Sequence, residues 1–569
     1  MIVYQLFVRL FGNSVSNPIE NGDKNENGCG TFEDISAKAI DSIKELGCTH
    51  IWLTGVLRHA TQTDYSMVGL PPQHPSVVKG KAGSPYAVTD FFELDPDLAE
   101  NPEKRWDSFE KCMARIHKAD LKVMIDFVPN HTARQYHSAY LVENLGYDLG
   151  QNDDPSQRFL PGNNYYYIPN QELQLEVNQT DSEGKPYEEF PAKATGNDSF
   201  TATPSHFDWF ETVKLNYGVD YQTGQHFFDP IPSTWHYMLE VLRFWSSKKI
   251  DGFRCDMVEM VPVAFWAWAV PQIKAEFPNL FFLGEVYNPD LYKVFLNEGQ
   301  FDFLYDKVEM YDDLRALVEG NGDANRLSHV WQKQEGFGER MLRFLENHDE
   351  QRIASEQVGK DPWRALPAMA VAALAGKGPV MLYFGQELGE KAVGSSGFSG
   401  NDGKSTIFDY WNVPTVQTWN NDGKWNLAKC TSVQTELRNE YAKILNLAQK
   451  SEAITQGSFF DLQYANQQNP QFSTQRNYAF LRFTAQERLL IIACFSLEDQ
   501  WIRLIIPPEA WNALGIETGK VASLQNKLEE TKPISFFPLA TYESDGGSVG
   551  LLIHLKAFAY PIFSIQQNG

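Results

Sequence analysis

The sequence predicts an α/β protein whose larger part is a (β/α)8 barrel, and three observations carry this prediction. Short apolar runs alternate with amphipathic helical stretches from the first residue to about residue 440. Eight such runs are present, and eight parallel strands are the number that closes a barrel. The length of 569 residues indicates two or three domains. A doubly wound open sheet is also compatible with the alternation alone.

The predicted elements follow one another along the first 440 residues. The strands are residues 2–8 (IVYQLFV), 50–53 (HIWL), 123–128 (VMIDFV), 250–255 (IDGFRC), 280–286 (LFFLGEV), 301–305 (FDFLY), 341–347 (MLRFLEN) and 379–385 (PVMLYFG). Two intervening stretches have apolar residues spaced by three and four, which places each set on one helix face. These sets are Trp106, Phe109, Met113 and Ile116, and Trp235, Met238, Leu242 and Trp245.

Two further regions complete the predicted organisation. Residues 131–218 are rich in Asn, Asp, Gly, Pro and Tyr and are too long for an ordinary loop, which predicts a small irregular domain inserted after the third strand. We expect its aromatic residues 165–167 and 207–210 to form its own core rather than a sugar platform. Residues 446–569 carry short strand runs between turn-forming residues, which predicts an antiparallel β-sandwich. The barrel then comprises residues 1–130 and 219–445.

The composition excludes some classes of partner. The 49 basic and 73 acidic residues give a net charge of −24, whereas binding to nucleic acids or anionic membranes needs concentrated Lys and Arg. We therefore expect neither nucleic acid nor a membrane as a partner. The hydrophobic fraction of 43% is ample for large cores, and 13% aromatic residues suit a neutral, polyhydroxylated ligand.

The cysteines and the N-terminus bear on the compartment. The six cysteines form no CxxC pairs, so buried thiols in a reducing compartment are favoured over disulfides or a zinc site. The first residues, MIVYQLFVRLFGN, lack the features of a secretory signal. The sequence favours the cytoplasm, although a leader removed beforehand would leave the same picture. The longest apolar run, residues 366–376, is too short to span a bilayer.

Polar side chains stand at the C-terminal ends of several predicted strands, where a β/α barrel carries its chemistry. They are His131 after the third strand, Arg254 and Asp256 at the end of the fourth, Glu285 at the end of the fifth, and His348 and Asp349 at the end of the seventh. A single acid at such a place commonly caps a helix. So many together predict a site at one rim. Arg254, two residues from Asp256, points to the same side of its strand and should keep that carboxylate ionised; a satisfied ion pair in the core is the structural alternative.

Four segments together resemble the signature regions of the α-amylase family of glycoside hydrolases. They are DFVPNH (126–131), DGFRCD (251–256), GEVYN (284–288) and ENHD (346–349), in the family's order and spacing. VKLNYG (213–218) looks like a fifth region, and residues 3–13, 84–96 and 378–389 are similar to further family segments. The resemblance covers about the first 440 residues. It implies a retaining mechanism on α-glucosidic bonds.

The resemblance also implies roles for individual residues. Asp256 would be the nucleophile and Glu285 the general acid/base, at the separation of about 5–5.5 Å that retaining enzymes have. Glu285 must hold a proton, so apolar or acidic neighbours are expected beside it. Asp349 would bond sugar hydroxyls as charge develops on the ring. Tyr86 would stack beneath the same sugar, and His131 and His348 would donate hydrogen bonds to it.

The chain departs from the family pattern beside the implied nucleophile. Many α-amylases carry Lys-His a few residues after it, where this chain has Glu259 and Met260. Arg352 resembles an arginine that, in exo-acting α-glucosidases, closes off the non-reducing end together with an acid from the loop after the second strand. Asp64 is the candidate for that acid. A surface ion pair is the alternative for Arg352.

The family often holds a structural calcium ion between the barrel and the inserted domain, with the Asn of the PNH motif as one ligand. Asn130 matches that residue, and Asp153 and Asp154 are close in sequence. The other oxygen ligands cannot be picked out. We therefore expect no required cofactor, with a structural calcium at Asn130 as the candidate metal site.

Three functions are compatible with these motifs. The first is a retaining hydrolase of α-glucosidic bonds in starch, glycogen or malto-oligosaccharides. The second uses the same residues as an exo-acting α-glucosidase or a transglycosylase on short α-glucans. The third is a non-catalytic carbohydrate-binding barrel, but inactive family members usually lose one of the carboxylates, and all three are present here. The sequence leaves open endo or exo action, the preferred linkage and the oligomeric state.

Overall fold

Eight parallel strands form the barrel in the computed structural model, which describes residues 1–529, 532–536, 538 and 550–567. The strands are β1 (Ile2–Phe7), β2 (His50–Thr54), β3 (Lys122–Phe127), β4 (Gly252–Cys255), β5 (Phe281–Gly284), β6 (Phe303–Tyr305), β7 (Met341–Leu342) and β8 (Val380–Tyr383). All eight predicted strands are present.

The sheet closes on itself. Its order is β7-β6-β5-β4-β3-β2-β1-β8, and every neighbouring pair is parallel. A parallel bridge between Arg343, directly after β7, and Val380 on β8 joins the two ends. The fold is therefore the predicted barrel, and the open doubly wound sheet is excluded.

Helices connect successive strands, as the apolar spacing predicts. They are Ala37–Glu45 after β1, Arg105–Lys118 after β2, Ser233–Ser247 after β3, Val263–Glu276 after β4, Tyr292–Asn297 after β5, Asp312–Glu319 and Asn325–Lys333 after β6, Ala365–Leu374 after β7, and Ser432–Lys450 after β8. Short helices also lie in the loops, among them Val8–Phe11, Lys24–Asn27 and Pro414–Asn420.

Side chains inside the barrel form an apolar layer below a polar layer. Seven strands each contribute one buried residue to the apolar layer: Val3, Trp52, Met124, Leu283, Tyr305, Leu342 and Met381. Two positions further along a strand the side chain points the same way again. At that level the residues are polar and buried: Gln5, Thr54, Asp126, Arg254 and Glu285. The polar layer lies toward the C-terminal ends of the strands, where barrels carry their sites.

The insert (residues 131–218) is irregular, as predicted. His131–Ala133 pairs antiparallel with Thr212–Lys214, and Tyr167–Ile168 pairs with Ala192–Lys193. The helix Ala139–Leu145 lies between them in the chain. A small antiparallel pair, of residues 219–220 with 225–226, follows before the barrel resumes.

The aromatic residues of the insert have two different environments. Tyr165, Tyr166 and Tyr167 are buried, which agrees with the predicted local core. The same prediction is wrong for residues 207–210. Phe207 is 93% exposed, and Trp209 faces the cavity at the mouth of the barrel.

The C-terminal part forms two antiparallel sheets that share one hydrophobic core. The strands are β9 (Ser458–Asp461), β10 (Asn477–Phe483), β11 (Arg488–Cys494), β12 (Gln500–Leu504), β13 (Ala522–Asn526), β14 (Ile534–Phe536), β15 (Leu551–Leu555) and β16 (Ile562–Gln567). The larger sheet has the order β9-β10-β11-β16-β13-β14, and β12 pairs with β15. The apolar run 551–565 forms two strands, because the backbone turns at Phe558, which has a φ of 53°.

Within the described residues, no helix has the length and apolarity needed to cross a membrane. The domain boundaries predicted after residues 130, 218 and 445 stay predictions, and the residues not described all lie in the predicted third domain.

Candidate active site

Arg254 lies at the centre of the polar layer. It comes from β4 and is fully buried. Its Nη1 donates to Asp256 Oδ1 at 2.7 Å, and its Nη2 lies 2.7 Å from Glu285 Oε1. Asp126 Oδ1 is 3.5 Å from Nη1, and Nε donates to the Tyr305 hydroxyl at 3.2 Å. One guanidinium thus holds the carboxylates that end two neighbouring strands.

The backbone turns sharply after Asp256. Met257 has a φ of 44°, the left-handed region that side chains other than glycine seldom adopt, at a cost of about 1–2 kcal/mol. This turn aims the Met257 N–H at Glu285 Oε2, 2.9 Å away. The Asp256 N–H continues the sheet by donating to Phe127 O at 2.9 Å. The strain is therefore stored where β4 presents its carboxylate.

Tyr287, in the loop after β5, fixes Glu285, and Glu259 in turn fixes that loop. The Tyr287 hydroxyl donates to Glu285 Oε1 at 2.7 Å. Glu259, which stands where many relatives carry Lys-His, accepts the N–H groups of Tyr287 and Asn288 at 3.1 and 3.0 Å. Glu259 thus ties the loop after β4 to the loop after β5.

His348 connects Asp349 to the polar layer. The side-chain N–H of Gln5 donates to His348 Nδ1 at 2.8 Å, so the ring proton belongs on Nε2. Nε2 lies 2.9 Å from Asp349 Oδ2 and 2.6 Å from the Tyr86 hydroxyl oxygen. The Tyr86 hydroxyl donates in turn to Asp126 at 3.3 Å. This chain of bonds fixes Asp349 and the Tyr86 ring together.

The loop that carries Tyr86 depends on a close backbone approach. Gly83 has a φ of 82°, and a Cβ there would lie 1.7 Å from Ala60 O. The Tyr86 ring stacks on His348 with centroids 5.1 Å apart. His131 lies across from it, and its Nδ1 accepts the Asn130 side-chain N–H at 3.0 Å. Burial, with Lys214 nearby, lowers the pKa of His131 to about 3, so its ring is neutral.

A cavity of about 240 Å³ collects these groups at the barrel mouth. Five of the residues singled out in the sequence line it: Tyr86, His131, Asp256, Glu285 and Asp349. Arg254 and His348 stand behind its wall, bonded to residues that line it. The sequence reasoning missed Trp209, Tyr287, Lys79 and Glu211, which also line the cavity. Tyr287 could have been found from its place in the GEVYN motif.

The pKa values of Asp256 and Asp349 are shifted in opposite directions. Burial raises the pKa of Asp256 well above its usual range; Arg254 opposes this shift, whereas Glu285 and Asp349 add to it. Burial also acts to raise the pKa of Asp349, but His348 and Arg254 outweigh it and lower the pKa to about 2. The sequence predicts that Arg254 keeps Asp256 ionised. Arg254 does act to lower the pKa of Asp256, but burial raises this pKa by more, so the net shift is opposite to the prediction. Burial therefore favours the protonated form of Asp256, whereas Asp349 stays ionised.

The comparison with known families shows what kind of barrel this is. The family model described as "Alpha amylase, catalytic domain" matches residues 17–412, more than half of the chain. The chain belongs to the alpha-amylase family. The resemblance carried by the four motifs is thereby confirmed.

Curated relatives in the alpha-amylase family share about a quarter of their residues with this chain. Alpha-amylase MalA of Haloarcula japonica is 26% identical over 396 residues, which cover 68% of this chain and 44% of that protein. Alpha-amylase 3 of Dictyoglomus thermophilum is 23% identical over 478 residues, covering 80% of this chain and 78% of that protein. The chain thus spans less than half of the first relative's length.

The fold likeness to solved structures extends over the whole chain. The alpha-amylase from Geobacillus thermoleovorans, solved in complex with acarbose, matches with a TM-score of 0.62 at 18% identity. The match covers 100% of this chain and 98% of that one. It supports the fold over the whole length of the chain.

One predicted contact, the pair of Arg352 with Asp64, is wrong. Arg352 is fully buried, donates to Glu346 Oε1 at 2.8 Å and lies 4.0 Å over the Tyr383 ring. Asp64 is exposed and accepts the N–H of Ser66 at 2.8 Å. Neither residue lines the cavity. Arg352 therefore has a structural ion pair inside the barrel.

The surroundings of Asn130 do not fit the calcium ion that the alpha-amylase family often holds. The ammonium of Lys214 donates to Asn130 Oδ1 and to Met260 O, and it forms an ion pair with Asp198 at 2.8 Å. The Asn130 amide N–H groups donate to Gly196 O and to His131 Nδ1. A lysine charge thus occupies the place next to the predicted ligand.

The acids expected near Asn130 are also engaged elsewhere. Asp153 accepts the N–H groups of Asn164 and Tyr165, and Asp154 is exposed and accepts that of Ser156. Throughout the described residues, no group of three or more His, Cys, Asp or Glu side chains could hold a metal ion. The contacts of these residues therefore do not fit a calcium ion at Asn130.

Proposed function

We propose that this protein is a retaining hydrolase of α-glucosidic bonds in starch, glycogen or malto-oligosaccharides. The observation that carries the proposal is the Arg254 guanidinium, which lies 2.7 Å from both Asp256 and Glu285 at a cavity that Asp349 also lines. Family membership supports it. A carbohydrate-binding barrel without activity would have no use for two carboxyl groups held by one guanidinium at its cavity.

In the first step the Asp256 carboxylate attacks the anomeric carbon while Glu285 gives its proton to the leaving oxygen. Arg254 holds Oδ1 of Asp256, so we assign the attack to Oδ2. The new ester bond forms as the glycosidic bond breaks. In the second step Glu285 takes a proton from water, the water oxygen attacks the same carbon, and Asp256 leaves.

The proton distribution suits this sequence of steps. The chemistry needs one proton on the Asp256–Glu285 pair, and burial keeps such a proton in the site. In the reacting state this proton is on Glu285, and Arg254 stabilises the charge left on Asp256. Asp349, with a pKa of about 2, is ionised throughout and can accept sugar hydroxyls as positive charge develops on the ring.

The thiols support a reducing compartment, for which we propose the cytoplasm. All six cysteines are free: Cys29, Cys48, Cys112, Cys255, Cys430 and Cys494. Four are buried, and burial raises the pKa of each of those four thiols. They are therefore inert structural residues.

Incubation with soluble starch, maltotriose, isomaltose, trehalose and sucrose tests the proposal, with products resolved by chromatography. We expect hydrolysis of the α-glucans with retained anomeric configuration, seen by NMR in the first minutes. Asp256→Asn should abolish turnover and leave Tm nearly unchanged. Binding of these sugars without turnover would instead support the non-catalytic barrel, and wild-type turnover in Asp256→Asn would show that the nucleophile is another residue.

A further inference from the structure

A lysine-centred partition separates the catalytic cavity from a second cavity. Lys79 and Glu211 line the catalytic cavity of about 240 Å³. Their chain neighbours Val78, Gly80 and Phe210 line the second cavity, of about 380 Å³. Lys79 Nζ lies 3.1 Å from Glu211 Oε2. Two segments of chain, residues 78–80 and 210–211, thus border both spaces.

Three aromatic rings enclose the ammonium of this lysine. Its Nζ lies 5.2 Å from the ring centre of Phe210, 5.9 Å from that of Phe398 and 5.8 Å from that of Phe408. The side chain of Lys79 is 8% exposed and that of Glu211 is 4% exposed. A desolvated ion pair inside aromatic rings is held firmly, because separating the charges would leave each of them buried without a partner. We call these five residues the partition.

The partition lies across the barrel mouth from the general acid. Three of its five residues come from that side: Lys79 from the loop after β2, and Phe398 and Phe408 from the loop after β8. Phe210 and Glu211 reach it from the insert after β3. In the closed sheet β8, β1 and β2 are adjacent, and β4 and β5, which carry Asp256 and Glu285, lie opposite. The acid protonates the leaving oxygen, so the leaving part of the substrate lies on the Glu285 side. The far end of the retained sugar therefore faces the partition.

We propose that the partition limits the retained side of the substrate to one sugar unit, so that the protein removes glucose from the non-reducing ends of short α-glucans. This inference rests on the proposed function and specifies its substrate. The cavity volume agrees with it, since about 240 Å³ is less than the ~300–1,000 Å³ of pockets for drug-sized ligands. Lys79 and Glu211 are thus specificity-determining residues.

Maltoheptaose with a fluorophore at its reducing end tests the inference. The wild-type protein should shorten the labelled chain one unit at a time and release unlabelled glucose. The variant Lys79→Ala/Glu211→Ala removes the partition without leaving a buried charge, and it should raise the share of unlabelled maltose and longer products by roughly tenfold or more. Lys79→Met/Glu211→Gln removes the same charges but keeps the volume, and it should still release glucose.

The outcomes separate this inference from the proposed function. Unlabelled maltose or longer sugars as the first wild-type products would overturn the partition while supporting hydrolysis. The same holds if the alanine variant keeps the wild-type Tm and the wild-type product lengths. No hydrolysis of any α-glucan would overturn the proposed function itself, and the partition with it. The wild-type digest decides the question even if the alanine variant does not fold.

Discussion

Replacement of Arg254 by methionine tests the electrostatic centre of the site. The guanidinium is fully buried and lies 2.7 Å from each of two buried carboxylates. At that distance one charge pair is worth about 6 kcal/mol before desolvation, with an effective dielectric constant of ~20. Breaking a buried ion pair by removing one partner destabilises by about 3–5 kcal/mol. We expect Tm to fall by roughly 6–20 °C, with the ratio of about 2–4 °C per kcal/mol that holds for domains of about 150–250 residues.

The same change should also lower activity, because Asp256 would lose the group that holds it and stabilises its charge. A loss of 3–5 kcal/mol at the transition state corresponds to a roughly 10²–10⁴-fold fall in kcat/KM. Initial rates on maltotriose and thermal unfolding followed by circular dichroism measure both effects. Arg243→Met is the matched control, since Arg243 pairs with Glu276 at 2.8 Å on the surface and such pairs contribute only about 0–1 kcal/mol.

A double variant locates the cause of the instability. In Arg254→Met/Asp256→Asn one of the two buried carboxyl groups that lost the guanidinium is also gone, so the double variant should be more stable than Arg254→Met. We expect a coupling energy of at least about 1.5 kcal/mol between the two positions. The reasoning is refuted if Arg254→Met keeps kcat/KM within about tenfold of wild type and loses no more stability than Arg243→Met.

Three other expectations concern the acids and the cation at Asn130. Asp349→Asn should reduce kcat by about 10²–10³-fold with little change in Tm, because the lost charge acts in the transition state. An unchanged kcat would show that Asp349 takes no part in the reaction. Because burial raises the pKa of Asp256, the pair keeps its proton where free aspartates have lost theirs, so the alkaline fall of kcat/KM should have its midpoint well above ~3.9. A midpoint at the ordinary aspartate value would contradict this. Because Lys214 occupies the place beside Asn130, neither EDTA nor added calcium chloride should change the Tm of the wild-type protein. Lys214→Met should lower Tm, because Asp198 and Asn130 lose their partner. A wild-type Tm that rises with calcium would show that an ion binds there.

The sequence predicts the barrel well because its signals are local and repeated. Each strand is an apolar run, and two of the intervening helices show apolar residues spaced by three and four. The catalytic groups could be predicted for a related reason. The ends of parallel strands meet at one rim, so Asp256, Glu285 and Asp349 had to be close once the strands were assigned.

The remaining parts of the site depend on loops, whose paths the periodicity does not determine. Arg352 was assigned a partner by analogy, whereas packing gives it Glu346 inside the barrel. The net pKa of Asp256 depends on burial, which a sequence motif does not measure. The partition brings Lys79 and Glu211 together across 132 positions of the chain. Neither residue's local sequence indicates that the other is its partner.

Trapping of the covalent intermediate shows which residue of this protein attacks the sugar. The protein would be incubated with 5-fluoro-α-glucosyl fluoride, whose ring fluorine slows the breakdown of the ester, and then digested and sequenced by mass spectrometry. The account predicts one fluoroglucosyl group per chain, attached to Asp256. A label on any other residue, or turnover of the reagent without any covalent adduct, would contradict it.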